Sequence, residues 1–146
     1  MATLLPSMSH HLYAHGAARS PGAQQFGIAD IATIDACAQL MARSCRKQQL
    51  RWTRQAAAQH LVGLLGATGA QGFVWHDARG APLSFVIGRT ADQLFLVCEL
   101  CADESLRHER LCMSLLDHVR RTAPAAEIVF DAAQSRRHAR QLVRSL

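Results

Sequence analysis

Cys98, Cys101, His108 and Cys112 form a Cys-x2-Cys-x6-His-x3-Cys series. Thiolates and an imidazole at such spacing are the usual ligands of a structural zinc ion. Their setting points elsewhere. A zinc knuckle places its first two cysteines on a tight turn, whereas Cys98 and Cys101 lie in an apolar run, Leu94 to Cys101. Three residues apart on a strand, their side chains are expected on opposite faces. A redox Cys-x-x-Cys would need a helix N-terminus. The cysteines read best as core thiols, and no metal site is expected.

Glu99 stands inside the same run. A carboxylate on a strand can take a proton from a substrate if its surroundings tune it. The plainer reading is a solvent-exposed strand position. His108 and His118 are further acid–base candidates, each also readable as a surface histidine. His10, His11 and His15 cluster near the N-terminus, where only adventitious metal binding is expected.

A second constellation lies between Arg43 and Arg54. Trp52 stands among Arg43, Arg46, Lys47, Arg51 and Arg54. Basic residues around an aromatic can contact phosphates and stack on a base. The same residues also suit a solvated helix end. From Met1 to His76 the acidic residues are Asp30 and Asp35, so the basic excess of a chain with net charge +5 concentrates in this half. An anionic ligand, an acidic protein or nucleic acid is the partner such charge favours.

The elements that would position these residues follow from periodicity. Phe26 to Ile28 is expected as a first strand. Ile31, Ile34, Ala38 and Met41 recur at helical steps, which predicts a helix over Ile31–Arg43 with Asp30 as N-cap. Thr53 caps a second helix, Arg54 to about Leu65, with Ala57, Leu61, Leu64 and Leu65 as its apolar stripe. Phe73–Trp75 and Leu83–Ile87 flank an Asp/Gly/Pro-containing turn and predict a hairpin. Leu94–Cys101 reads as a buried strand and Leu106–Arg121 as a helix. Glu127–Asp131 is a further strand, and Ser135 starts a last helix. The order is β-α-α-β-β-β-α-β-α, an α/β fold with a mixed, mostly antiparallel sheet flanked by helices.

The whole chain sets outer limits. Its 146 residues suit one domain, and 49% hydrophobic against 18% charged residues can build a core. Residues 1–25, with Pro6, Gly16, Pro21 and Gly22, are expected to form a flexible tail, leaving a domain over 26–146. No apolar run is long enough to span a bilayer and no secretory signal is recognisable, so a cytoplasmic location with reduced thiols is expected.

This order resembles the GNAT N-acetyltransferase superfamily over residues 26–146. The most specific part is Leu94–Leu146. There, Arg107-His108-Glu109-Arg110-Leu111-Cys112 stands at the family's Arg/Gln-x-x-Gly-x-Gly/Ala turn, and Arg136-Arg137-His138-Ala139-Arg140-Gln141-Leu142-Val143 at its Asn-x-x-Ala-x-x-Leu-Tyr segment. Arg110 and Cys112 replace the two glycines, Arg136 the asparagine and Val143 the tyrosine. The resemblance implies a transfer of an acyl group from acetyl-CoA or another acyl-CoA to an amine. It implies Glu99 as catalytic base, and Leu100, Arg107, His108, Arg110, Leu111 and Cys112 as coenzyme contacts. The missing motif residues support a second expectation, an inactive protein on the same scaffold that binds a protein or nucleic acid through its basic first half. The family usually continues into one more strand, which leaves the sheet either short or completed by a partner, a homodimer included.

Overall fold

The structure, a computed structural model, describes residues 22–45, 52–104, 108–122 and 127–130. Strand β1 (Gly22–Phe26) is followed by helices α1 (Ile31–Cys45) and α2 (Arg54–Leu65). Strands β2 (Ala70–His76), β3 (Pro82–Ala91) and β4 (Leu94–Ala102) come next, then helix α3 (His108–Thr122) and strand β5 (Glu127–Phe130). The strands form one sheet in the order β1-β2-β3-β4-β5. The first three pairings are antiparallel, and β4 with β5 is parallel across the α3 crossover. This is the mixed sheet that the sequence implies. The last helix expected after Ser135 lies outside the described residues.

Strand β1 corrects the sequence reading. It pairs from Gly22↔His76 to Phe26↔Gly72 rather than covering 26–28, so residues 22–25 belong to the sheet and not to a tail. Ile28 instead lies in the following turn and is exposed. Phe26 anchors the strand: its ring covers Gly72, where a Cβ would come within 2.6 Å of it. Gln24 and Gln25 are exposed, so no hydrophobic alternation marks the strand in the sequence.

In α1, Ile34, Ala38 and Met41 are buried as their spacing requires, but Ile31 is 76% exposed and lies off the buried stripe. Asp30 does not cap the helix with its side chain as expected. Its carboxylate turns back and accepts from the Gly27 N–H at 2.8 Å, bracing the preceding turn. Thr53 does cap α2, its hydroxyl accepting from the Ala56 N–H at 3.0 Å. Thr53→Ala should cost about 1 kcal/mol, the usual value of such a cap, read as a lower urea midpoint with an unchanged slope. An unchanged midpoint would show that solvent serves the Ala56 amide equally well.

The turns explain the sheet's register. Asp77 accepts from the N–H groups of Arg79 and Ala81 at 2.8 and 2.9 Å, closing the β2–β3 turn. Asp92 and Gln93 join β3 to β4 with φ of 50° and 62°. Two positive values in a two-residue loop give the turn whose twist matches antiparallel strands.

The sheet buries both faces. Phe85, Ile87, Val74 and Phe26 pack beneath α1 and α2, with Cys37, Leu40 and Leu61 closing the layer. Phe73, Val86, Phe95 and Val97 pack beneath α3, against Leu115 and Val119. Cys37 lies in the first layer and Cys112 in the second. Burial pushes both thiols up from an ordinary 9.0 to about 12. A thiol whose folded value is raised stabilises the fold fully below the ordinary value, and this contribution is lost as pH rises from about 9 towards about 12. Both thiols stay protonated and shielded at pH 8, so alkylation followed by mass spectrometry should modify Cys37 and Cys112 far faster in urea than in the native protein. Equal rates would contradict this packing. Among the described residues, no helix is long and apolar enough to cross a membrane.

Candidate functional site

The site begins with an irregularity in β4. The β3–β4 register steps from Ile87↔Glu99 to Gly88↔Val97, so Cys98 is the extra residue of a β-bulge. A bulge changes the phase of side-chain alternation. Phe95 and Val97 face the α3 layer, and so do Leu100 and Ala102, three residues on from Val97 rather than two. Glu99 is thereby carried to the α1/α2 face, where Cys101 also packs. Unbroken alternation would have driven the Glu99 carboxylate into the apolar α3 layer. Cys101 and Cys112 end on opposite faces of the sheet, so the cysteine series does not converge on a single centre.

The parallel register covers Leu94–Val97 against Glu127–Phe130, while β4 runs on to Ala102. Glu99 lies two residues past Val97, the last β4 residue paired with β5 among the described residues.

Glu99 is not the exposed strand residue of the plainer sequence reading. Its side chain is 3% exposed and its Oε1 lies 3.0 Å from Nε2 of His60, whose side chain is 33% exposed. His60 stands on α2 one helical turn from Ala57 and one from Leu64, both packed in the α1/α2 layer. Trp52 completes the group: its ring centroid is 4.9 Å from that of His60, tilted by 32°. Trp52 also packs against the α1/α2 layer. Sequence reasoning missed His60. The available signal was its helical spacing from Ala57 and Leu64 at the edge of the apolar stripe of α2, an odd position for a surface histidine.

The start of α3 holds the other predicted residues. Arg107 and the side chain of His108 lie outside the described residues; His108 is the first residue of α3. Arg110 is exposed in its first turn. Leu111 packs partly against the α3 layer, and Leu100 and Cys112 are buried within it. Cys112, at one of the glycine positions of the family motif, thus directs its side chain into the core and away from solvent at the helix start. His118 lies on the α3 side, its ring edge-on to Phe73 at 5.8 Å. The structure does not bring it to Glu99, which faces the opposite layer.

The basic segment is partly neutralised. Arg43 pairs with Asp103 at 3.1 Å. Arg54 makes a two-pronged contact with Asp35, which ties α2 to α1 and holds the Asp35 carboxyl below its usual range. Arg46, Lys47 and Arg51 lie outside the described residues. Among the described residues, no group of three or more His, Cys, Asp or Glu side chains is arranged to hold a metal ion.

This sheet order, with two helices on one face and a crossover helix on the other, is the acyltransferase fold of the GNAT acetyltransferases. The chain is similar to an aminoglycoside acetyltransferase from an uncultured soil metagenomic sample, solved in complex with sisomicin. The identity is 14%, the TM-score 0.59, and 84% of each chain is covered. It is also similar to the ribosomal-protein-alanine N-acetyltransferase of Brucella melitensis biovar Abortus 2308, at 13% identity and TM-score 0.55, over 78% of this chain and 82% of that one. An aminoglycoside 6'-acetyltransferase type Ii matches at 10% identity and TM-score 0.58, over 74% of this chain and 69% of that one. No protein-family model matches the sequence, and no curated protein matches it. Likeness at this level of identity defines the fold.

Proposed function

We propose that this chain is an acyl-CoA-dependent N-acyltransferase. The observation that carries the reading is the bulge at Cys98, which turns a buried carboxylate onto the α1/α2 face beside His60. A strand has no packing reason to carry Glu99 into a layer of apolar side chains; a group that receives a proton has a chemical one.

The residues at the start of α3 fit a coenzyme. A helix N-terminus offers N–H donors to a pyrophosphate, and the buried Cys112 side chain does not crowd that approach. Arg110 adds positive charge there. Leu100, Arg107, His108, Arg110, Leu111 and Cys112 would together hold the coenzyme, with Leu100 and Cys112 contributing backbone groups. When bound, acetyl-CoA or another acyl-CoA supplies an activated acyl group, whose carbon–sulfur bond breaks as the carbon–nitrogen bond to the amine forms. Glu99 draws the proton from the amine, directly or through the group it touches. Water or another group protonates the departing thiolate, because Val143, at the family's tyrosine position, has no proton to give.

The test is turnover. The protein is mixed with acetyl-CoA and a panel of amines that includes aminoglycosides and alanine-bearing ribosomal-protein peptides, after the names of the similar proteins. Release of coenzyme thiol matched by an acetylated product supports the reading. Thiol release with none of the amines contradicts it.

A further inference from the structure

The burial of Glu99 raises a question about which group meets the acceptor. A side chain that is 3% exposed is poorly placed to touch an incoming amine, whereas the His60 side chain in front of it is 33% exposed. The contact runs from Glu99 Oε1 to His60 Nε2 at 3.0 Å. A carboxylate accepts, so the neutral imidazole donates from Nε2 and carries its lone pair on Nδ1. Among the described residues, no hydrogen bond is made to Nδ1. Trp52 lies against the ring at 4.9 Å between centroids and is itself seated on the α1/α2 layer, which limits rotation of the imidazole about its own bonds. A buried carboxylate, a histidine held by it and an open second nitrogen form a base with its orienting partner behind it.

Resting on the acyltransferase reading, we propose that His60 is the catalytic base and Glu99 its positioning residue. His60 Nδ1 takes the proton from the acceptor nitrogen as the new carbon–nitrogen bond forms. Glu99 stays ionised, fixes the Nε2–H tautomer and stabilises the imidazolium. The proton then passes from Nδ1 to water, and His60 returns to its neutral form. Trp52 holds the plane of the ring. The assignment makes the α1/α2 face of β4 the side from which the acceptor arrives.

Two experiments separate the roles. The first needs no ligand. In protein labelled with nitrogen-15 at histidine, long-range nitrogen–proton spectra should show His60 as the Nε2–H tautomer, and Glu99→Gln should abolish that preference. A wild-type His60 with its proton on Nδ1 would overturn the assignment. The second reads turnover and coenzyme affinity together. His60→Ala should keep acetyl-CoA affinity within about twofold and lose about 10²–10⁴-fold in kcat, the usual share of a general base. Added imidazole should restore part of that loss in His60→Ala, and should restore nothing in Glu99→Gln. His60→Gln, closer in size, guards against a folding defect and should lose as much. Full turnover in both His60 variants, with Glu99→Gln impaired, would put the proton on Glu99 and overturn the His60 role alone. Failure of the wild-type chain to bind acetyl-CoA would overturn the acyltransferase reading, and the His60 role with it.

Discussion

Glu99→Gln is expected to lower kcat by about 10²–10⁴-fold while leaving acetyl-CoA affinity unchanged. The substitution keeps the volume and removes the charge. Its amide can still reach His60 Nε2, but it can donate as well as accept, so it no longer dictates which imidazole nitrogen carries the proton. It also leaves any imidazolium formed during the reaction without a neighbouring anion. The coenzyme contacts proposed for α3 lie across the sheet from Glu99, which separates binding from proton transfer. Steady-state kinetics with an accepted amine, together with calorimetry of coenzyme binding, measure the two effects. Unchanged turnover would remove Glu99 from the chemistry. A matching loss of coenzyme affinity would mean that the substitution disturbs β4 as a whole.

Gly88→Ala should be the most destabilising change of a single small group in the sheet. A Cβ at Gly88 would lie 2.4 Å from carbons of the Phe95 ring, well inside contact distance. Phe95 has nowhere to retreat. It is 1% exposed in the α3 layer and meets Phe73 edge-on at 6.1 Å. Overpacking of this kind costs about 1–3 kcal/mol, and the loss of a well-oriented ring pair adds about 0.5–1.5 kcal/mol. Gly88 also pairs with Val97 at the edge of the bulge, so the shift would reach the segment that sets the direction of Glu99. Urea denaturation should show a lower midpoint, and activity should fall by more than the unfolded fraction explains. Combining Gly88→Ala with Phe95→Leu should cost less than the sum of the two, because the smaller side chain makes room for the methyl group. Strict additivity would mean that the ring is not the obstacle.

These residues also show what the sequence makes legible. Helix α2, its Thr53 cap and the β2–β3 hairpin follow from local rules: hydroxyl capping, a helical apolar stripe, and a turn rich in Asp, Gly and Pro. The mixed sheet flanked by helices follows from the sequence of elements. Strand β1 does not, because an edge strand with Gln24 and Gln25 outward has only Phe26 to mark it, and the pairing that holds it comes from β2, distant in the chain. The bulge is hidden for a different reason. Leu94–Cys101 is apolar at nearly every position, so the change of phase between Val97 and Leu100 leaves no trace in the pattern. Glu99 therefore looks like an ordinary outward strand residue until β3 fixes the register. His60 is hidden because its partner is on another element; only the fold brings His60 of α2 to Glu99 of β4.

The central claim is that the start of α3 holds an acyl-CoA and that Glu99 and His60 serve the transfer of its acyl group. Calorimetric titration of the purified protein with acetyl-CoA and with coenzyme A tests it most directly. The account predicts micromolar binding of both, weakened in Arg110→Glu by reversal of the charge near the helix start. Absence of heat at millimolar ligand would contradict it and show a GNAT fold put to another use.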